Sequence, residues 1–162
     1  MERYYEDMEV GTEYESPART VTETDLVNFS AISGDWNAVH SDEEYCKETP
    51  YKTRIIHGLL GLAISEGLKF RIPEFVAARY VASLFWHYNF RGPIFIGDTI
   101  RARIRVQSKR ATKKPDRGIV VEYVTLVNQR GEVVQEGEHG LMILRRSPEE
   151  QAAGAEERAG LR

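Results

Sequence analysis

Asp35 and His40 close a short run, Gly34-Asp35-Trp36-Asn37-Ala38-Val39-His40, that reads as neither regular helix nor strand. An apolar helical pattern stops at Gly34, so both ionisable side chains fall on a loop anchored at one end by a rigid element. Loops placed by a rigid scaffold are where chemistry concentrates. A carboxylate and an imidazole within reach of one water molecule can activate it and also supply a proton. The run therefore reads as a general acid-base pair. The competing reading is a turn in which Asp35 and Asn37 bond local backbone. The pair alone does not decide between them.

A second candidate is His57-Gly58, which opens a long apolar segment. The first amides of a helix have no intrahelical partner and carry a partial positive charge, so they favour negative charge placed against them. Gly58 has no side chain to block that approach. A thioester carbonyl seated there would be polarised as charge develops on its oxygen. Read by itself, Gly58 is only a tight entry turn.

The elements that must position these groups follow from pattern. Thr22 and Asp25 form a capping signal before Leu26, Val27, Phe29, Ala31 and Ile32, and Gly34 supplies the exit. Ser41-Asp42-Glu43-Glu44 predicts a second, short helix ending near Pro50. The segment from Gly58 to Leu68 is apolar on nearly every side, which predicts a helix buried all round. Beyond Pro73 the pattern turns to strands: Tyr80 to Phe90, an alternating run around Ile100, Ala102, Ile104 and Val106, then Ile119 to Val127, and Val133 to Leu144 after a turn at Asn128–Gly131. Helices first and consecutive strands afterwards predict an α+β fold, an antiparallel β-sheet wrapped around a buried central helix, which is the hot-dog arrangement.

Size and composition set the outer bounds. A chain of 162 residues fits one domain. We expect it over 1–146, with a flexible Glu-, Ala- and Gly-rich tail over 147–162. Cys46 is the sole cysteine, which excludes an intramolecular disulfide and multi-cysteine zinc. A net charge of −3 argues against general nucleic-acid binding. The N-terminal residues carry no secretory pattern, and the longest apolar stretch is too short to span a bilayer, so the expectation is a cytoplasmic protein without membrane or nucleic-acid partners. The four histidines lack metal-like spacing, and no metal is expected. Arg101, Arg103 and Arg105 read as a solvated strand face rather than a phosphate stripe.

Three motifs occur in one order: Phe29 with Ser33 to His40, then Ile56-His57-Gly58, then Pro93-Ile94-Phe95-Ile96-Gly97-Asp98-Thr99. Together they resemble the MaoC-like dehydratases, a hot-dog family that includes the (R)-specific enoyl-CoA hydratases. The resemblance spans roughly residues 4–145. It implies reversible syn addition of water to a 2-enoyl-CoA, giving a 3-hydroxyacyl-CoA, with CoA as part of the substrate and no separate cofactor. Asp35 and His40 match the catalytic pair, Gly58 the oxyanion position, and Asn37 a residue that orients the loop. Asn37, His57 and Ser65 are carried as substrate-binding residues, although Ser65 stands about one position from the family's helix serine and Glu66 takes its register. Ala38 replaces the family's usual proline. The resemblance also implies at least a homodimer. Glu66 raises an alternative, an acyl-CoA thioesterase with a carboxylate on the central helix. A non-catalytic acyl-thioester-binding subunit is the other alternative. Tyr45, Tyr51, Phe70, Phe75, Phe85 and Trp86 are candidates for the acyl pocket.

Overall fold

The computed structural model describes residues 2–147 and residue 150, so the expected tail lies almost wholly outside the described residues. Two short strands, β1 (Glu13–Glu15) and β2 (Arg19–Thr20), precede helices α1 (Glu23–Ser33), α2 (Ala38–Ser41), α3 (Glu43–Lys47), α4 (Gly58–Lys69) and α5 (Pro73–Val76). Four long strands follow: β3 (Tyr80–Phe90), β4 (Thr99–Ala111), β5 (Arg117–Val127) and β6 (Val133–Leu144). They form one antiparallel sheet in the order β1-β4-β5-β6-β3, with β2 also paired to β4. The sheet curls around α4, and the fold is the expected α+β hot-dog.

The curl has local causes. Register shifts interrupt β3 twice and β4 once. Such bulges bend a strand and increase its twist. On β4 the alternation is sharp: Ile100, Ala102, Ile104 and Val106 are buried while the intervening arginines face out. Arg101 and Arg103 pair with Glu15 of β1, as a solvated face would. The core forms where Leu60, Ile64 and Leu68 of α4 meet Ile104, Val124 and Leu126 of the sheet.

Several boundaries match the sequence pattern closely. Thr22 caps α1 in a reciprocal box with Asp25, and Gly34 ends it at φ 76°. Gly131 turns the β5–β6 hairpin at φ 80°. Asp98 pins that end of the sheet: Oδ2 accepts from Phe95 N, and Oδ1 accepts from Gln129 and Arg130.

Two expectations need correction. The run joining Asp35 to His40 is not wholly irregular, because Ala38–Ser41 forms one helical turn capped by Asn37. Nor is α4 buried all round: Leu59, Ala63 and Gly67 are exposed along one stripe. Composition made every side of α4 equally apolar, and period alone could not show which side a single chain leaves uncovered. Among the described residues no helix is long and apolar enough to cross a membrane.

Candidate active site

Each candidate side chain is placed by backbone chemistry that can be followed bond by bond. Ser33 closes α1 by donating to Phe29 O at 2.7 Å, and its hydroxyl accepts from Asp35 N at 3.2 Å. Asp35 Oδ1 accepts from Asn37 N, and Asn37 Oδ1 accepts from Val39 N, each at 3.1 Å. Two successive Asx turns thus carry the chain from the end of α1 into α2. His40 lies in the last turn of α2, and its Nδ1 is 2.8 Å from Ile55 O. A carbonyl can only accept, so Nδ1 carries the hydrogen and Nε2 of the neutral ring is the bare acceptor.

His57 ties the two arms together. It caps α4, is 3 % exposed, and donates from Nε2 to Asp35 O at 2.9 Å. Its ring stacks on His40 with centroids 3.8 Å apart, and Phe29 packs at 5.0 Å. Asp35 Oδ2 lies 3.8 Å from His57 Nε2. Immediately after His57, Gly58 opens α4. The Phe90 ring packs close over Gly58, and a Cβ there would stand 3.0 Å from it.

These groups share one open cavity of about 650 Å³, lined by Asp35, His40, His57, Gly58, Phe90 and Gln135 among others. The arrangement offers an acceptor nitrogen, a carboxylate and a helix-start amide around one space. It can hold a water between acid and base while a carbonyl oxygen meets the amide. Asp35, His40 and His57 also bring ligand-type atoms within 4.8 Å of one another. His57 Nε2 donates to the Asp35 carbonyl, so that nitrogen has no lone pair to offer a cation, and the bare lone pair of the neutral ring is on the buried Nδ1.

Residues 7–128 match the family described as MaoC like domain. The chain belongs to the MaoC-like dehydratase family. It is 36 % identical over 141 residues to the (R)-specific enoyl-CoA hydratase of Rhodospirillum rubrum, covering 86 % of this chain and 91 % of that protein. It is 39 % identical over 105 residues to the 3-hydroxybutyryl-CoA dehydratase of Methylorubrum extorquens, covering 64 % of this chain and 63 % of the relative. The solved MaoC-like dehydratase of Rhodospirillum rubrum superposes with a TM-score of 0.75 at 25 % identity, covering 90 % of this chain and 99 % of that one.

Within this family frame the remaining candidates sort by position. Asn37 orients the loop and does not line the cavity. Ser65 is buried, donates to Leu62 O at 2.7 Å and is absent from the cavity wall. Of the six aromatic candidates only Tyr51 lines the cavity, and Phe75 belongs to the core. Cys46 is buried against the Ala38 and Val39 carbonyls, and desolvation raises its thiol above the ordinary value. That is a structural thiol, not a nucleophile.

Glu66 sits two helical turns beyond Gly58, roughly 12 Å along the axis. There it lies 3.8 Å from Lys69 Nζ and 3.7 Å from His139 Nδ1. Burial raises its carboxyl, with Lys69 opposing. Lys69 also binds buried Glu122 at 2.8 Å, and His139 Nε2 reaches Ser83 Oγ at 2.7 Å. This buried cluster and Gln135 were missed by sequence reasoning. Their signal was present as polar residues at inward strand positions, Glu122, Gln135 and His139 on β5 and β6.

Proposed function

We propose that the protein hydrates 2-enoyl-CoA thioesters to (R)-3-hydroxyacyl-CoA and catalyses the reverse dehydration. The observation that carries this is the meeting of His40 Nε2, the Asp35 carboxylate and the Gly58 amide around one cavity. A water held between Asp35 and His40 adds its oxygen to C3 of the enoyl group. His40 Nε2 takes the water's proton, and the acid-base pair returns one proton to C2 on the same face. Negative charge that builds on the thioester oxygen in between is met by Gly58 N–H. Water is consumed, one C–O and one C–H bond form, and the thioester stays intact. No metal or redox group enters the scheme, because CoA arrives as part of the substrate.

The thioesterase alternative asks Glu66 to act on the thioester. Its place beside Lys69 and His139, away from the cavity, speaks against that role. Chiral separation of the product tests the reading, together with an assay for free thiol. A single (R)-3-hydroxyacyl-CoA with no released CoA supports it; stoichiometric thiol would replace it with hydrolysis.

The working unit is inferred to be a homodimer. β3 is the outer strand of the sheet, and among the described residues nothing pairs with its second edge. Val81, Leu84 and Phe90 are exposed on it, and Leu59 and Ala63 are exposed on α4. A long apolar edge is an aggregation hazard unless it is covered. A second copy related by a two-fold axis covers edge and stripe at once. A cytoplasmic location is consistent with the lone thiol.

A further inference from the structure

Gln135 is a long polar side chain, 1 % exposed on β6, and it reaches the residue of α4 that the reaction uses. Its Nε2 donates to Gly58 O at 2.9 Å. Because that carbonyl only accepts, the amide nitrogen must face it, and Oε1 is left buried without a partner. A slot that needed only filling would favour an apolar side chain, since an unpaired buried amide oxygen is costly. Room for the amide comes from Gly61, where a Cβ would overlap the Gln135 side chain. Phe90 is the register neighbour of Gln135 across the β3–β6 pair, and its ring covers Gly58 from another side. One rung of the sheet therefore grips the first residue of α4 twice.

A backbone donor is aimed by its peptide planes, and at glycine those planes are soft. The plane before Gly58 is fixed by Gly61 N donating to His57 O at 3.2 Å. The plane after it is held by the helix itself and, from the sheet, by Gln135 donating to Gly58 O. We propose that Gln135 is a positioning residue that holds Gly58 so that its N–H meets the thioester oxygen in the transition state. The proposal deepens the hydratase reading and rests on it.

Three variants approach the contact from different sides. Gln135→Leu removes the donor, and Gly61→Ala displaces it while favouring the helix. Each is expected to lower kcat about tenfold or more with KM within about twofold, as for an interaction made only in the transition state. In Gly61→Ala the gain in helix propensity offsets part of the lost hydrogen bond, so its Tm should fall less than its kcat loss would suggest. In Gln135→Glu only the neutral carboxyl has a hydrogen to donate, so kcat relative to wild type at the same pH should rise as pH falls. That ratio cancels the pH dependence that the variant shares with the wild type. Full kcat in Gln135→Leu and Gly61→Ala, or a flat ratio for Gln135→Glu, overturns the role of Gln135 while leaving an active wild type as a hydratase. A wild type that hydrates no enoyl-CoA overturns both.

Discussion

Asp35 and His40 receive their orientation from different elements, and His57 is the joint between them. Asp35 is set by the end of α1, His40 by the carbonyl of Ile55, and His57 bonds the first while stacking on the second. His57→Phe keeps a ring in the stack but loses the bond to Asp35 O, which is worth about 1 kcal/mol net. It also removes the buried, unpartnered Nδ1. We therefore expect kcat to fall about tenfold while Tm changes little, a split that steady-state kinetics and a melting curve will show. Gly58→Ala leaves the amide but sets a methyl against Phe90 and the incoming oxygen; a loss approaching about 10²-fold in kcat is expected. That Asp35, His40 and Gly58 belong together was legible in the sequence, because the chemistry proposed for each needs a particular residue type, and the three do line one cavity. His57's joining role was not, since stacking and a main-chain acceptor leave no trace in spacing. The missing proline at Ala38 has little visible consequence, because Asn37 caps α2 regardless.

At the scale of elements, α4 does two jobs on one axis. Its start faces the cavity, and its end carries Lys69 into a cluster with Glu122, Glu66 and His139. Lys69→Met strands the Glu122 carboxylate and is expected to cost about 3–5 kcal/mol in urea unfolding. Pairing it with Glu122→Leu should restore most of that loss, because replacing both charges by apolar groups is often nearly neutral. Desolvation, helped by Lys69, holds the His139 imidazole down at about 3, against about 6.5 in an unfolded chain. The unfolded state then takes up the proton first, so stability falls as pH drops from about 6.5 toward 3. His139→Gln should flatten that part of the Tm profile; an unchanged slope would place the acid sensitivity elsewhere. Element boundaries were largely readable, because caps and turns are local chemistry. The cluster was not, because it joins α4 to β5 and β6, and only folding brings those strands beside the helix.

For the molecule as a whole, the pattern of helices followed by strands was enough to name the architecture, yet it painted α4 as enclosed on every side. The single chain leaves Leu59, Ala63 and Gly67 open, and the outer edge of β3 is unpaired among the described residues. The second copy proposed above would cover that apolar stripe. Sedimentation of the wild type should give a dimer, and Leu84→Lys with Ala63→Glu should shift it toward monomer with loss of activity. A monomeric wild type at full activity would contradict this assembly. The acyl chain length was not legible, since the aromatic residues that suggested a pocket lie mostly outside the cavity wall. The central claim is that Asp35 and His40 together move water onto an enoyl thioester at the start of α4. It is tested most directly by following loss of enoyl absorbance with a short 2-enoyl-CoA in the wild type, Asp35→Asn and His40→Gln. The account predicts hydration by the wild type and a drop of about 10²–10⁴-fold in each variant at unchanged Tm. Full activity in both variants would contradict it.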